Sequence, residues 1–472
     1  MRNAKSRILA AVVGTLSMGA AAAWAAEPTP QDLQNQVQEL QAKVSAMEAK
    51  QAATSKDLAT AIDQMIRDAE KRSQLLATSG EASAGYDEGF FIKAGDAWVL
   101  RPGALFQFRN VTSYRDAVGP RNDDSWENGF EVARMKLILT GNAFSKDLEY
   151  AFIWESVADS GSLNLTDAWA KYMFADQWGF RAGQFRDPVG HEWLVNDGRL
   201  LAVDRSLVDG LMGGGMVGYT QGVTLIYNGE RDNNNPISAE LGYTDGANQL
   251  NTSYVGRGAP FLSSPADPTV PVVGSPGAHV FDWGIAGRVE WKVWGNWTDY
   301  ADFTAKGNTQ DLLVFGAGAD WSQGGDGNLI IATVDGQYEN TAGLGIYAAG
   351  FYRKLTDEMI GSGSSGNDWG GLIQAGYLFH PQWEVFGRYD ITFIDHQDLF
   401  GPESDEHTFQ EITLGVNYYM GKDGSARHRA KVTVDVSYLP NGSPAIAPQL
   451  DILDENSAQS EWLLRAQFQL WI

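Results

Sequence analysis

Residues 281–293, FDWGIAGRVEWKV, put Phe281, Trp283, Ile285, Val289, Trp291 and Val293 on one side of an extended chain, and Asp282, Arg288, Glu290 and Lys292 on the other. The same period of two runs through Trp98 to Arg109, where Trp98, Leu100, Phe106 and Phe108 oppose Arg101, Gln107 and Arg109. It returns in Ala430 to Tyr438, with Val432, Val434 and Val436 against Lys431, Thr433 and Asp435. A strand with one apolar and one charged face fits a wall between lipid and water. After residue 26 no apolar run reaches the roughly 18 to 20 residues a membrane helix needs. The mean hydropathy of −0.27 alongside 11% aromatic residues fits such a wall, because its two faces average out. A soluble sandwich or propeller would alternate too. Aromatic girdles favour the membrane: Trp98, Trp154, Tyr172, Trp178, Trp283, Trp369, Tyr377, Trp383, Tyr438 and Trp462 sit near strand ends on the apolar face. The expected fold is an all-β transmembrane barrel of about 16 antiparallel strands, preceded by an α-helical coiled-coil segment.

The amino terminus gives the compartment. Arg2, Lys5 and Arg7 precede the apolar stretch Ile8 to Ala23, and Ala23-Trp24-Ala25 fits a cleavage site, so residues 1–25 read as a secretory signal peptide. Its removal takes three of the 35 basic residues and none of the 59 acidic ones, leaving a net charge of −27. A chain so acidic is not built for nucleic acid. It has no Cys, so strand pairing rather than disulfides must hold it. Leu33, Val37, Leu40, Val44 and Met47 recur with spacings of 4, 3, 4 and 3, the a/d rhythm of a coiled coil. Residues 27–77 are expected to form a periplasmic coiled coil, 78–96 a linker, and 97–472 the outer-membrane barrel.

Strands are expected near 97–109, 129–141, 146–156, 164–174, 178–186, 217–228, 236–245, 281–292, 311–321, 328–338, 343–354, 369–380, 383–393, 409–420, 429–440 and 459–472. Sixteen is even, which lets both chain ends lie on the periplasmic side. Connections after odd-numbered strands are then extracellular, and they include the long ones at 110–128, 187–216, 246–280, 394–408 and 441–458. The stretch 293–310 is long for a periplasmic turn; a hairpin within it would raise the count to eighteen. The last strand alternates from Trp462 to Ile472, with Arg465, Gln467 and Gln469 inward.

Within this frame the connection 187–216 stands out. Pro188 cannot donate to a ladder, so the strand from Trp178 ends there, and Gly213-Gly214-Gly215 releases the chain into the next one. A connection this long is more often functional than not. It follows the fifth strand, from which a loop can fold inward and narrow a pore.

Gly183-Gln184-Phe185-Arg186 followed by Pro188, Glu192 and Asp204-Arg205-Ser206 resembles a block of the phosphate-selective porin O and P family. So do QAGY at 374–377, FGRYD at 386–390, EITLGVNYY at 411–419 and RAQF at 465–468. The resemblance runs from about residue 97 to the end. It implies a trimeric sixteen-stranded outer-membrane porin whose third extracellular loop enters the lumen, with arginines lining the channel and basic side chains binding phosphate at the constriction.

Inward-pointing basic and acidic residues are about equal in number, so many can pair across neighbouring strands. The sharper expectation is an anion track from the first five strands and the loop: Arg101, Arg109, Arg134, Lys136, Lys171, Arg181, Arg199 and Arg205. Guanidinium groups hold oxyanions through paired hydrogen bonds and stay charged at physiological pH. In opposition, the loop also carries Asp187, Glu192, Asp197, Asp204 and Asp209. The expected function is passive diffusion of small hydrophilic solutes with a modest preference for anions such as phosphate. Alternatives are an envelope tether whose coiled coil binds the cell wall, and a sugar-type channel, for which Trp169 and Phe386 are candidates. Expected partners are outer-membrane lipid and lipopolysaccharide, two further copies in a homotrimer, small inorganic anions, and peptidoglycan through the coiled coil. No cofactor or metal site is expected, since no ligand spacing stands out. His191-Glu192 near Asp204 and Ser206 lacks the partner spacing of a triad or an HExxH motif, which argues against an enzyme.

Overall fold

Alternation decides the architecture. In the computed structural model, which describes residues 82–87, 89–95, 97–118, 123–156, 161–252, 281–324, 327–356, 366–395, 407–442 and 460–472, the two faces of each strand separate cleanly. On one strand Ile285, Val289 and Trp291 are exposed while Arg288, Glu290 and Lys292 are buried; on another Trp462, Leu464 and Leu470 are exposed while Arg465, Gln467 and Gln469 are buried. The apolar face is turned outward and the polar face inward, the reverse of a soluble protein.

Eighteen strands are described. A short hairpin, β1 (Ala82–Tyr86) and β2 (Phe90–Ala94), precedes β3 (Trp98–Val118), β4 (Asp123–Asn142), β5 (Leu148–Ser156), β6 (Leu163–Ala175), β7 (Trp178–Arg186), β8 (Tyr219–Tyr227) and β9 (Ile237–Thr244). There follow β10 (Trp283–Trp294), β11 (Leu312–Gly324), β12 (Gly327–Glu339), β13 (Leu344–Leu355), β14 (Gly366–His380), β15 (Trp383–Phe393), β16 (Thr408–Tyr419), β17 (Ala430–Leu439) and β18 (Glu461–Trp471). From β3 each strand pairs antiparallel with the next, and β18 pairs with β3 from Glu461↔Arg115 to Trp471↔Leu105, closing a sixteen-stranded barrel. Closure leaves no free edge. Past the end of the ladder, Ala104 and Ile472 exchange backbone hydrogen bonds of 2.8 and 2.9 Å.

Three expectations change. The connection placed at 110–128 is mostly ladder, because β3 and β4 stay paired out to Val118↔Asp123. Alternation continues there, with Trp126 and Phe130 exposed against buried Ser113 and Arg115, but Asp, Asn and Gly between them obscure it. The stretch 293–310 holds no additional hairpin. It forms a turn around a short 3-10 segment, Asp299–Ala301, whose Trp297, Tyr300 and Phe303 recur every third residue and are all buried. Finally, the stretch placed as a linker, 78–96, carries the hairpin β1–β2, which adds to β3 only at Trp98–Leu100. The signal peptide and the coiled coil at 27–77 lie outside the described residues, as does most of the connections 246–280, 394–408 and 441–458.

Gly183 lets the fifth barrel strand run unusually close to β6. Its φ is +132°, and a Cβ there would stand 2.1 Å from the Ala168 carbonyl oxygen. Only glycine tolerates both.

Candidate functional site

Three short helices order the connection between β7 and β8: α1 (His191–Leu194), α2 (Leu207–Met212) and α3 (Gly214–Val217), with a 3-10 turn at Asp197–Arg199. Ser206 caps α2 by accepting from the Asp209 amide at 3.2 Å. The loop is not draped over the barrel mouth. Its Val195, Leu201, Leu207, Val208, Leu211 and Met212 are buried against inward side chains of the wall, including Leu329, Ile331, Phe351, Leu372 and Phe386. A Cβ on Gly318 of β11 would lie 2.1 Å from the Val189 carbonyl oxygen, so that glycine admits the loop against the wall. The glycines after α2 are packed too: a Cβ on Gly214 would enter the Trp193 ring and one on Gly215 would meet Gly210.

Two carboxylates of the loop gather most of the charge. Asp197 accepts from Lys136 at 2.5 Å and from Arg186 and Arg205 at 2.6 Å each. Arg186 and Arg205 also lie over the Trp193 ring, at 4.8 and 4.9 Å from its centre. Burial alone would raise the Asp197 pKa, but Arg186, Lys136 and Arg205 outweigh it and hold the carboxyl well below the usual carboxylate range. Asp204 pairs with Arg109 at 2.8 Å and Arg465 at 3.3 Å, and these likewise overcome burial to lower its pKa. Glu192 accepts from the Ser206 hydroxyl at 2.6 Å and lies 3.7 Å from Arg388. The wall also holds the loop by its backbone. Arg388 donates to the carbonyl of Asp204 at 2.8 Å, Lys431 to that of Leu200 at 2.6 Å, and Arg353 to that of Leu211 at 2.6 Å. Asp435 accepts from the Val203 amide and Glu411 from the Leu207 amide, both at 3.0 Å.

From the opposite end of the barrel the turn after β10 enters to meet the loop. Tyr300 stacks on His191 with ring centres 3.8 Å apart, and its hydroxyl accepts from Arg288 at 3.0 Å. Burial pushes the His191 pKa down to about 4. Loop and turn together cover one half of the inner wall, from β10 to β18, where Arg353, Asp368, Arg388, Asp390, Lys431, Asp435 and Arg465 are at most 4% exposed. From β5 to β9 the longer charged side chains of the inner wall reach solvent: those of Glu149, Glu155 and Glu240 are 31%, 23% and 21% exposed, with the shorter Ala151, Thr224 and Ser238 buried between them.

The residues expected to form an anion track divide into three groups. Arg109, Arg134, Lys136 and Arg205 converge on the loop, where Arg134 pairs with Glu155 at 2.7 Å and Arg109 also meets Glu131. Lys171 and Arg181 lie on the open wall, Lys171 between Glu149 and Glu230 at 2.9 and 2.6 Å, Arg181 on Glu240. Arg199 stands 5.6 Å above the Trp471 ring, and Arg101 lies apart, donating to the Asp87 carbonyl at 3.3 Å. Of the two aromatic candidates, Phe386 packs into the loop and Trp169 borders a cavity on the open wall. Arg186, Asp197, Arg388 and Arg465 are central here and were not among the expected site residues. Strict alternation places Arg186 opposite Arg181, facing lipid; it enters because the chain itself turns inward at Pro188.

Residues 106–266 match the family described as phosphate-selective porin O and P. No curated protein sequence matches. Among solved structures, an anion-selective porin from Comamonas acidovorans is similar with a TM-score of 0.50 at 12% identity, over 79% of this chain and 99% of that one. Salmonella typhi OmpF in complex with daunomycin gives 0.49 at 14%, over 82% and 100%, and the outer membrane channel DcaP of Acinetobacter baumannii gives 0.46 at 14%, over 81% and 99%. Residues 106–266 are thus similar to the phosphate-selective porins O and P, and the whole described chain has the fold of a closed sixteen-stranded β-barrel with an inward loop.

Proposed function

We propose that the barrel is a water-filled channel for passive diffusion of small hydrophilic solutes, with a modest preference for anions such as phosphate, and that it is a channel rather than an enzyme. The observation that carries this reading is the open inner wall beside a fixed loop: charged side chains with solvent access line the five strands β5 to β9, while the wall from β10 to β18 is packed. One ion-pair cluster joins four cations (Arg134, Lys136, Arg186 and Arg205) to two carboxylates (Asp197 and Glu155), and a separate one joins two cations (Arg109 and Arg465) to three (Asp204, Glu131 and Asp435), six cations against five carboxylates among the described residues. A surplus of one supports a weak anion preference, not a strict one. The matched family's description and the Comamonas porin's title point the same way. In this reading the connections after β3, β5, β7 and the later odd-numbered strands face outward, the amino terminus lies in the periplasm with its coiled coil toward peptidoglycan, and three copies share the membrane with lipopolysaccharide.

The test is the reversal potential of the purified protein in a planar bilayer under a KCl gradient, repeated with millimolar phosphate. Chloride should be favoured over potassium, and Arg134→Gln should lower that ratio by about twofold, the size expected of one partly screened charge. Cation preference in the wild type would overturn the anion reading, and absence of any conductance would overturn the channel itself.

A further inference from the structure

A cavity of about 190 Å³ lies between the loop and the open wall, bordered by Trp169, Lys171, Arg181, Leu194, Ile226 and Arg231. Arg181 uses Nη2 to reach Glu240, lies 4.0 Å from the centre of the Phe185 ring and 5.8 Å from that of Trp169, and its Nε–H has no hydrogen-bond partner among the described residues. Arg231 donates through Nη2 to Glu290 at 2.7 Å. The turn aromatics hold it in place, with its guanidinium 5.2 Å from the centre of the Trp297 ring and 5.4 Å from that of Tyr300, while its side chain stays 37% exposed. Each guanidinium has five N–H donors and a single carboxylate partner, so both retain donors on their Nη groups, the Nε–H of Arg181 being sealed. Glu149 and Glu230 occupy Lys171, and Asp335 and Glu290 occupy Arg288, which also borders the space. With Lys171 and Arg288 so paired, Arg181 and Arg231 face Glu240 and Glu290, beside one flat ring and the apolar side chains of Pro188, Leu194, Ile226 and Ala239.

Resting on the channel reading, we infer that this cavity is a transit subsite for small solutes carrying a carboxylate on a flat apolar body. The carboxylate accepts from the free donors of Arg181 and Arg231, where a planar fork matches a planar anion. The body lies against Trp169, Leu194 and Ile226, a surface that an inorganic anion cannot use. Glu240 and Glu290 keep the hold weak enough for release, as conduction requires. The volume falls below the roughly 300 Å³ at which drug-sized pockets begin, so a single-ring acid is the natural size.

Benzoate and acetate are the probes, compared by bi-ionic reversal potentials on the intact channel. A plain aqueous pore passes acetate better, because it is smaller. The subsite predicts the opposite order, with benzoate favoured, and Trp169→Ala should bring the ratio back by about threefold, the scale of one aromatic contact. Arg231→Gln should reduce both acids relative to chloride, and Arg231→Lys should restore charge without restoring the benzoate preference, because an ammonium lacks the fork. Chloride conduction in each variant shows that the barrel has assembled. Acetate favoured over benzoate in the wild type, or a benzoate preference that survives Trp169→Ala, overturns the subsite and leaves the channel standing; no conductance at all overturns both.

Discussion

The inner wall of this barrel is built on one rule and used in two ways. From β10 to β18 its charged side chains are sealed beneath a loop from one end and a turn from the other; from β5 to β9 the same kind of side chain meets water. The strands of both halves alternate alike, so alternation builds the wall without deciding which part of it conducts. That choice falls to the inserted segments. On the covered side the arginines hold the loop's carbonyls and carboxylates, whereas on the open side they pair with neighbouring glutamates and keep donors available.

Removing the centre of the covered side should have the largest effect. Asp197→Ala leaves Lys136, Arg186 and Arg205 without their shared carboxylate, and breaking a buried pair of this sort costs roughly 3–5 kcal/mol. Equilibrium unfolding in urea should show that loss, and single-channel conductance should rise as the loop loosens. An unchanged conductance would mean that packing alone fixes the loop. Gly318→Ala comes next. Its methyl would press on the Val189 carbonyl, and such overpacking costs about 1–3 kcal/mol, readable as a lower unfolding midpoint.

The dependence of loop order on pH comes next, and its groups act in separate windows on either side of about pH 3.9. Burial, reinforced by Glu192, pushes the Asp209 pKa up to about 7. A raised carboxyl contributes fully below its unfolded value of about 3.9 and loses that contribution as pH rises to 7. Asp197 and Asp204, whose pKa values are lowered, contribute fully above about 3.9 and lose it as pH falls further. Amide exchange of the loop, corrected for intrinsic rate, should therefore speed up between about pH 4 and 7, and Asp209→Asn should flatten that rise. A rise that persists in the variant would assign it elsewhere. Arg101→Gln should do least: the side chain is exposed beside the β1–β2 hairpin, so ion selectivity should stay unchanged and stability shift by under about 0.5 kcal/mol.

Much of this was legible before the fold was seen. Alternation marks fourteen of the sixteen barrel strands nearly from end to end and is obscured only where Asp, Asn and Gly enter the extensions of β3 and β4. Pro188, the triple glycine and the length between them mark the inserted loop. What periodicity cannot convey is where an irregular segment goes. Trp297, Tyr300 and Phe303 follow neither strand nor helix spacing well, so nothing local announces that the turn folds inward. Arg186 sits on the lipid side by parity and reaches Asp197 only because the chain bends after it. Arg109, Arg134 and Arg181 have buried or half-buried partners within the barrel whereas Arg101 is exposed beside the β1–β2 hairpin; an inward arginine can hold a loop or meet a solute, and only its partners distinguish the two.

Chemical access to the two halves tests the account most directly. The chain has no Cys, so single cysteines can be placed one at a time and exposed to a water-soluble thiosulfonate while single-channel current is recorded. Glu149→Cys and Glu240→Cys on the open wall should react and reduce the current. Gln374→Cys and Thr433→Cys, inward but sealed beneath the loop at 3% and 1% exposure, should not. Equal reaction at all four positions would contradict the division of the wall.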